Sequence, residues 1–457
     1  MKRLAVCFGV LLQSACAVYR PLPLDTRATA PGDVANVTID AGVMAFAPRH
    51  HVFDPARGLD MTDVAMLAVT NDPQLKVARD ERGIATAQAF AAGLLPDPVL
   101  DVSRAFPTSG PAEATAYGLG LAYDINELLT HSLAKRAAAD SAHAVDLNLL
   151  WMEWRVVGAS RQLFVRAWYE ERMLALSRAE ARRMEEHHAA LLRAYRRGDV
   201  SLVSVNADLA RLQSVRTRRD EVERRALRAR QGLNALLGLS PRAKLRLKAP
   251  TRVPGLSAAE IDRDLDTLPA RRPDLLALQA GYQSEDARYR QAVWRQFPAI
   301  DIGLTRARGT DRVSTRGFKI ALTLPIFNRN RGNIAVEKAT RRTLHDEYAV
   351  RLTDARSGVE RILQEERLLE RRRDQLAEDV RIGARTSREL HAGVARGDVS
   401  AADELNLTVS WCDRRLELLG LEQTMQELRV ALRTLLGGRR TRLAAVFAPQ
   451  DARGLRE

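Results

Sequence analysis

The pentapeptide Arg197-Gly198-Asp199-Val200-Ser201 occurs a second time as Arg396-Gly397-Asp398-Val399-Ser400. Working outward from this pair, Leu236-Leu237-Gly238 recurs as Leu435-Leu436-Gly437 on the downstream side. Upstream, Pro73, Leu75, Ala92, Pro98 and Asp101 recur as Pro273, Leu275, Ala292, Pro298 and Asp301. The chain of 457 residues is therefore two copies of one unit of about 200 residues, far longer than a solenoid repeat.

Each pentapeptide interrupts a long tract without proline, residues 112–240 in one copy and 326–448 in the other. Apolar residues recur there every seven positions, as in Leu149, Val156 and Leu163, in Leu352 and Val359, and in Leu369, Leu376 and Leu390. That spacing is a coiled-coil signal. Gly198 and Gly397 supply a left-handed turn, while Ser201 and Ser400 can cap a returning helix. Each tract then reads as a helical hairpin, about 128–237 and 331–436, with arms of about 65 and 37 residues. The longer arm would reach roughly 95 to 100 Å at 1.5 Å per residue.

Before each hairpin stands a shorter helical stretch, 61–93 and 270–296, stopped by prolines at 96 and 98 or at 298. The period then changes to two. Tyr117, Leu119, Leu121 and Tyr123 alternate with Gly118, Gly120, Ala122 and Asp124, and Ile300, Ile302 and Leu304 alternate with Asp301, Gly303 and Thr305. Strands are predicted at about 99–106, 116–124, 299–306 and 317–324, joined within each pair by a polar loop. The architecture expected is a mixed one, all-α coiled coil plus membrane β-barrel.

Four strands cannot close a barrel, and open edges are not viable in lipid. Copies of the chain must pool their strands. Three copies would supply twelve strands around an aqueous lumen, although closure alone also admits two or four.

The N-terminus reads as an export signal. Lys2 and Arg3 precede the apolar run 4–12, and Gln13-Ser14-Ala15 leads to Cys16. Such a run is too short to span a bilayer. The pattern resembles a bacterial lipoprotein signal with Cys16 as the lipidated residue, although Gln13 stands where such signals carry leucine. Plain cleavage near Ala15 or Ala17 is the alternative. The layout is then a signal at 1–16, an extended leader at 17–60, repeats at 61–255 and 256–440, and a tail at 441–457. Cys412 is left as a single thiol in a helical pattern, with no disulfide framework.

Although the formal charge is +14, the arginines are interspersed with acids, as over 221–230 and 365–379. This favours solvated helix faces with i,i+4 ion pairs over nucleic acid as a partner. No phosphate loop, Cys-x-x-Cys or His-Glu-x-x-His is present, so the chain is read as no enzyme and as holding no cofactor. His50-His51 and His187-His188 invite a metal reading. Adjacent helical residues point about 100° apart, which argues against both rings of 187 and 188 addressing one ion.

The order of elements, the duplication, the helix starts at Asn71-Asp72-Pro73 and Arg272-Pro273, and the run Leu324-Pro325-Ile326-Phe327-Asn328 resemble the TolC family of outer-membrane efflux proteins. Residues 324–334, LPIFNRNRGNI, look most like the branch serving heavy-metal pumps of the resistance-nodulation-division type. The resemblance implies a homotrimer with its barrel in outer-membrane lipid and its helices in the periplasm. A periplasmic adaptor and an inner-membrane pump would be its partners, with heavy-metal cations as cargo. Drug efflux and type I secretion are the alternatives within the family, and a non-spanning periplasmic coiled coil the alternative outside it. The two turns at Gly198-Asp199 and Gly397-Asp398 would form the periplasmic tip. By the same resemblance Asp403 matches an acidic position that constricts the pore. Glu404 lies beside it, and Ser204 holds the matching place in the first copy.

Overall fold

The computed structural model describes residues 19–437, apart from 25, 27–29, 35–36, 38, 40–52 and 110–113. The first repeat opens with α1 (Met61–Asn71) and α2 (Pro73–Gly93). The helical stretch over 61–93 divides at the helix start expected at Asn71-Asp72-Pro73, because Asp72 caps a new helix there. Its carboxylate accepts from the Gln74 and Leu75 amides at 2.8 and 3.0 Å, and Pro73 occupies the first helical position. Proline is pre-organised there and lacks the amide that would be unsatisfied anyway. Strands β1 (Val99–Ala105) and β2 (Ala116–Asp124) follow, then the hairpin of α3 (Ile125–Arg196) and α4 (Leu202–Leu236).

The second repeat begins with α5 (Ala258–Asp266), α6 (Leu268–Arg271) and α7 (Pro273–Trp294). Strands β3 (Ala299–Arg308) and β4 (Ser314–Thr323) lead into the hairpin of α8 (Arg331–Arg396) and α9 (Ala401–Leu435). Here Arg272 stands where the first repeat has Asp72. Its guanidinium reaches forward to the buried Asp274 at 2.9 and 2.6 Å and stacks over the Trp151 ring at 4.6 Å. One repeat's helix start is thus fastened to the other repeat's long helix.

The four strands form one antiparallel sheet in the order β1-β2-β3-β4, so the seam between β2 and β3 joins the two repeats. Its register sorts the side chains by face. Leu100, Leu121, Leu304 and Phe318 lie in one cross-strand row, while Asp101, Gly120, Thr305 and Gly317 form the next row on the opposite face. Among the described residues the apolar face has no partner, and Leu304 and Phe318 are 68% and 76% exposed. At the helical end, Trp294 packs on Phe297 at 5.9 Å, with Phe327 also exposed, forming an aromatic border to that band.

The helices run at 72 and 66 residues for α3 and α8, or about 108 and 99 Å. Phe164, Leu233 and Leu237 anchor the largest core cluster, to which Val34 and Leu59 of the leader also belong. Leu59 pairs with Leu247 in an isolated parallel bridge. Gly158 of α3 permits the close crossing of α9. A Cβ there would lie 2.8 Å from the Thr434 Cγ2 and closer still to its Oγ1.

The expected i,i+4 pairing of arginines is the lesser part of what forms. Most of the pairs run between helices: Arg166 to Glu427 at 2.6 Å, Arg178 to Glu223 at 2.5 Å, and Arg218 to both Glu180 and Asp413. Seven-residue periodicity places charged residues beside the apolar seam, where a neighbouring helix is nearer than the next turn. The thiol of Cys412 is buried and pushed up to about 12 by that burial, with the Glu180 carboxylate adding to it.

Candidate gate and tip

The two glycine turns that join the arms of the hairpins are built alike. In the first, the Gly198 amide donates to the Tyr195 carbonyl at 2.9 Å and the Asp199 amide to the Ala194 carbonyl at 3.0 Å. In the second, Gly397 donates to Val394 at 3.1 Å and Asp398 to Gly393 at 3.0 Å. This paired arrangement satisfies the last carbonyls of a helix and requires a left-handed residue, and the two glycines have φ of 84° and 83°. Arg197 grips Asp199 through Nε at 2.9 Å, and Arg396 grips Asp398 at 2.8 Å.

The return helices start on serine caps. Ser201 Oγ accepts from the Ser204 amide at 3.3 Å and lies 3.1 Å from the Ser204 hydroxyl. Ser400 Oγ accepts from the Asp403 amide at 3.1 Å and donates to the Asp403 carboxylate at 2.7 Å. Ser204 and Asp403 therefore hold the same position in the two copies. The two acids in α9 do not share one environment. Asp403 is exposed beside its cap, whereas Glu404 turns towards α8, with Oε1 3.5 Å from His391 Nδ1.

Farther up the first hairpin, His187 and His188 both face one acid of α4. His188 Nδ1 lies 2.6 Å from Asp208 Oδ2 and His187 Nε2 lies 3.6 Å from Oδ1. Adjacent rings diverge on their own helix, yet one carboxylate of α4 sits between their directions. Among the described residues no group of three or more His, Cys, Asp or Glu side chains is arranged to hold a metal ion. Sequence inspection missed Asp208, because only the pairing of α3 with α4 brings it there. Cys16, His50 and His51 lie outside the described residues.

A second acidic feature lies near the sheet. Glu285 of α7 is buried and hydrogen-bonds Glu337 of α8, with Arg288 at 3.9 Å. Burial first, then the Glu337 carboxyl, pushes Glu285 up to about 7. A carboxyl raised in the folded state binds protons that the unfolded chain has released, so this contribution is full below about 4.5 and lost as pH rises through about 7. Glu285→Gln is expected to flatten that part of the profile. Thermal midpoints of wild type and variant from pH 4 to 8 check it, the gap widening in the variant's favour towards pH 8.

Among the described residues no helix is long and apolar enough to cross a membrane. Residues 265–438 match the sequence profile of the outer membrane efflux protein family. No curated protein matches the chain. Among solved structures, the chain is similar to CusC at 18% identity and TM-score 0.67, covering 90% of this chain and 99% of that one. It is similar to the CmeC outer membrane channel of Campylobacter jejuni at 16% and 0.70, covering 92% and 95%. The MtrE outer membrane channel of Neisseria gonorrhoeae stands at 19% and 0.67, covering 92% and 97%. The chain thus has the fold of these outer-membrane channels, and its residues 265–438 match the outer membrane efflux protein family.

Proposed function

We propose that the protein is one protomer of a passive outer-membrane exit duct in a tripartite efflux system. The observation that carries this reading is the four-stranded sheet whose two edges are unpaired among the described residues, with an apolar outer face and an aromatic border, standing on helices of about 100 Å. Edges in lipid must be paired, so β1 of one copy meets β4 of the next. Three copies give twelve strands and a water-filled lumen, with the helices of all three forming a tube through the periplasm. The tip turns would meet an adaptor protein and, through it, an inner-membrane pump that supplies the work. The conduit itself performs no chemical step, and lipid attached at Cys16 would add an anchor.

Cations suit the lumen as cargo. Asp101, Asp124 and Asp301 all fall on the face opposite the apolar one, with Asp124 directly across from Asp301. Together with the likeness of residues 324–334 to the heavy-metal branch, this favours metal cations over drugs or proteins. A deletion strain should be sensitised to divalent metals and not to dyes, and the reverse pattern would reassign the cargo.

At the tip, threefold symmetry would bring three exposed Asp403 carboxylates together, attracting cations and repelling one another. Glu404 would steady the return helix through His391. Asp403→Ala with Glu404→Ala is expected to raise single-channel conductance in planar bilayers and to reduce cation selectivity. Unchanged values for both would remove these residues from the gate.

A further inference from the structure

We propose that the outer face of the sheet carries, at its loop end, a built site for the phosphate of anionic lipid headgroups. This deepens the membrane reading given above and rests on it. The register places Val102, Leu119, Arg306 and Arg316 in the row beyond Leu100, Leu121, Leu304 and Phe318, and on the same face. One row farther come Arg104, Tyr117, Arg308 and Ser314. Four arginines thus close the apolar band along two successive rows.

These arginines differ from those of the helices. Arginine after arginine on the hairpins meets a carboxylate, whereas Arg104, Arg306, Arg308 and Arg316 have no carboxylate partner among the described residues. Arg104 stacks on Phe106 at 4.8 Å, and Arg308 leans on the Tyr117 hydroxyl at 3.4 Å with its Nε left unsatisfied. The sheet's acids, Asp101, Asp124 and Asp301, lie on the other face and cannot neutralise them. Strands stand about 4.8 Å apart, so guanidinium groups on adjacent strands can share one phosphate. Placed at the bilayer midplane such residues would be costly, but at its border the cost fades and a phosphate layer lies within reach.

The test uses detergent-purified full-length protein titrated with phosphatidic acid or phosphatidylcholine and read by native mass spectrometry. Wild type should bind phosphatidic acid at least tenfold tighter, since each basic residue beside an anionic surface contributes about fivefold. Arg306→Gln with Arg316→Gln should bring the ratio near unity, and Arg104→Gln with Arg308→Gln serves if the first pair fails to assemble. Lys319→Gln, a cation lost from the opposite face of the same sheet, should leave the ratio unchanged. A preference that survives both pairs, an equal loss in Lys319→Gln, or full competition by inorganic phosphate would overturn the site. Protein that inserts and conducts in phosphatidylcholine but shows no preference defeats the lipid site and leaves the duct standing. Failure to insert at all defeats the duct reading and this site with it.

Discussion

Replacing Arg429 by methionine is expected to destabilise the folded chain by about 3–5 kcal/mol, the largest effect of any single substitution considered for this protein. The guanidinium is only 5% exposed, and it donates to Glu366 at 2.5 Å, Glu370 at 2.8 Å and the Val253 carbonyl at 3.3 Å. Glu366 is itself buried, so methionine would leave a carboxylate in the helix seam without its counter-ion. The loss would reach the inter-repeat linker too, because Arg429 and Arg433 together hold the carbonyls of Val253 and Pro254. Removing both charges should cost much less than removing one. Arg429→Met with Glu366→Leu is therefore expected to recover most of the stability in thermal or denaturant unfolding. A single variant as stable as wild type would show that the pair is not desolvated.

Enlarging Gly158 should have the next largest effect. Alanine there would press on Thr434, whose hydroxyl is committed to the Val430 carbonyl at 2.9 Å and whose own carbonyl accepts from the Trp154 indole at 3.0 Å. The threonine cannot swing aside without breaking a local bond, so α3 and α9 must separate. Overpacking of this kind costs about 1–3 kcal/mol. Thr434→Ala removes the two nearest atoms and should restore much of the loss in the double variant. If Gly158→Ala alone melts like wild type, the helices do not cross so closely there.

How far these features could be read from the sequence depends on their range. The duplicated turn was legible because Gly198 and Gly397 must adopt a conformation that few other residues tolerate. The strands were legible because a two-residue period survives without knowledge of the partner strand. Gln162 and Arg166 reaching Glu427, or Asp208 arriving between two histidines, were not legible. Such contacts depend on which helix lies beside which, and charge spacing within one helix cannot report it. The break at Asp72 was legible in Asn71-Asp72-Pro73, since an aspartate before a proline is itself a helix start signal.

The β2–β3 seam has a consequence for how the molecule is made. Tyr117 and Arg308 lie side by side on it although 191 residues separate them. A nascent chain that has completed the β1–β2 ribbon holds half a wall with one edge waiting, and the strand destined for that edge emerges only after the whole first hairpin and the linker. Pairings of such long sequence separation form slowly and leave apolar edges exposed meanwhile. The time needed to complete the sheet is thus set by strand order, independent of how stable the finished sheet is.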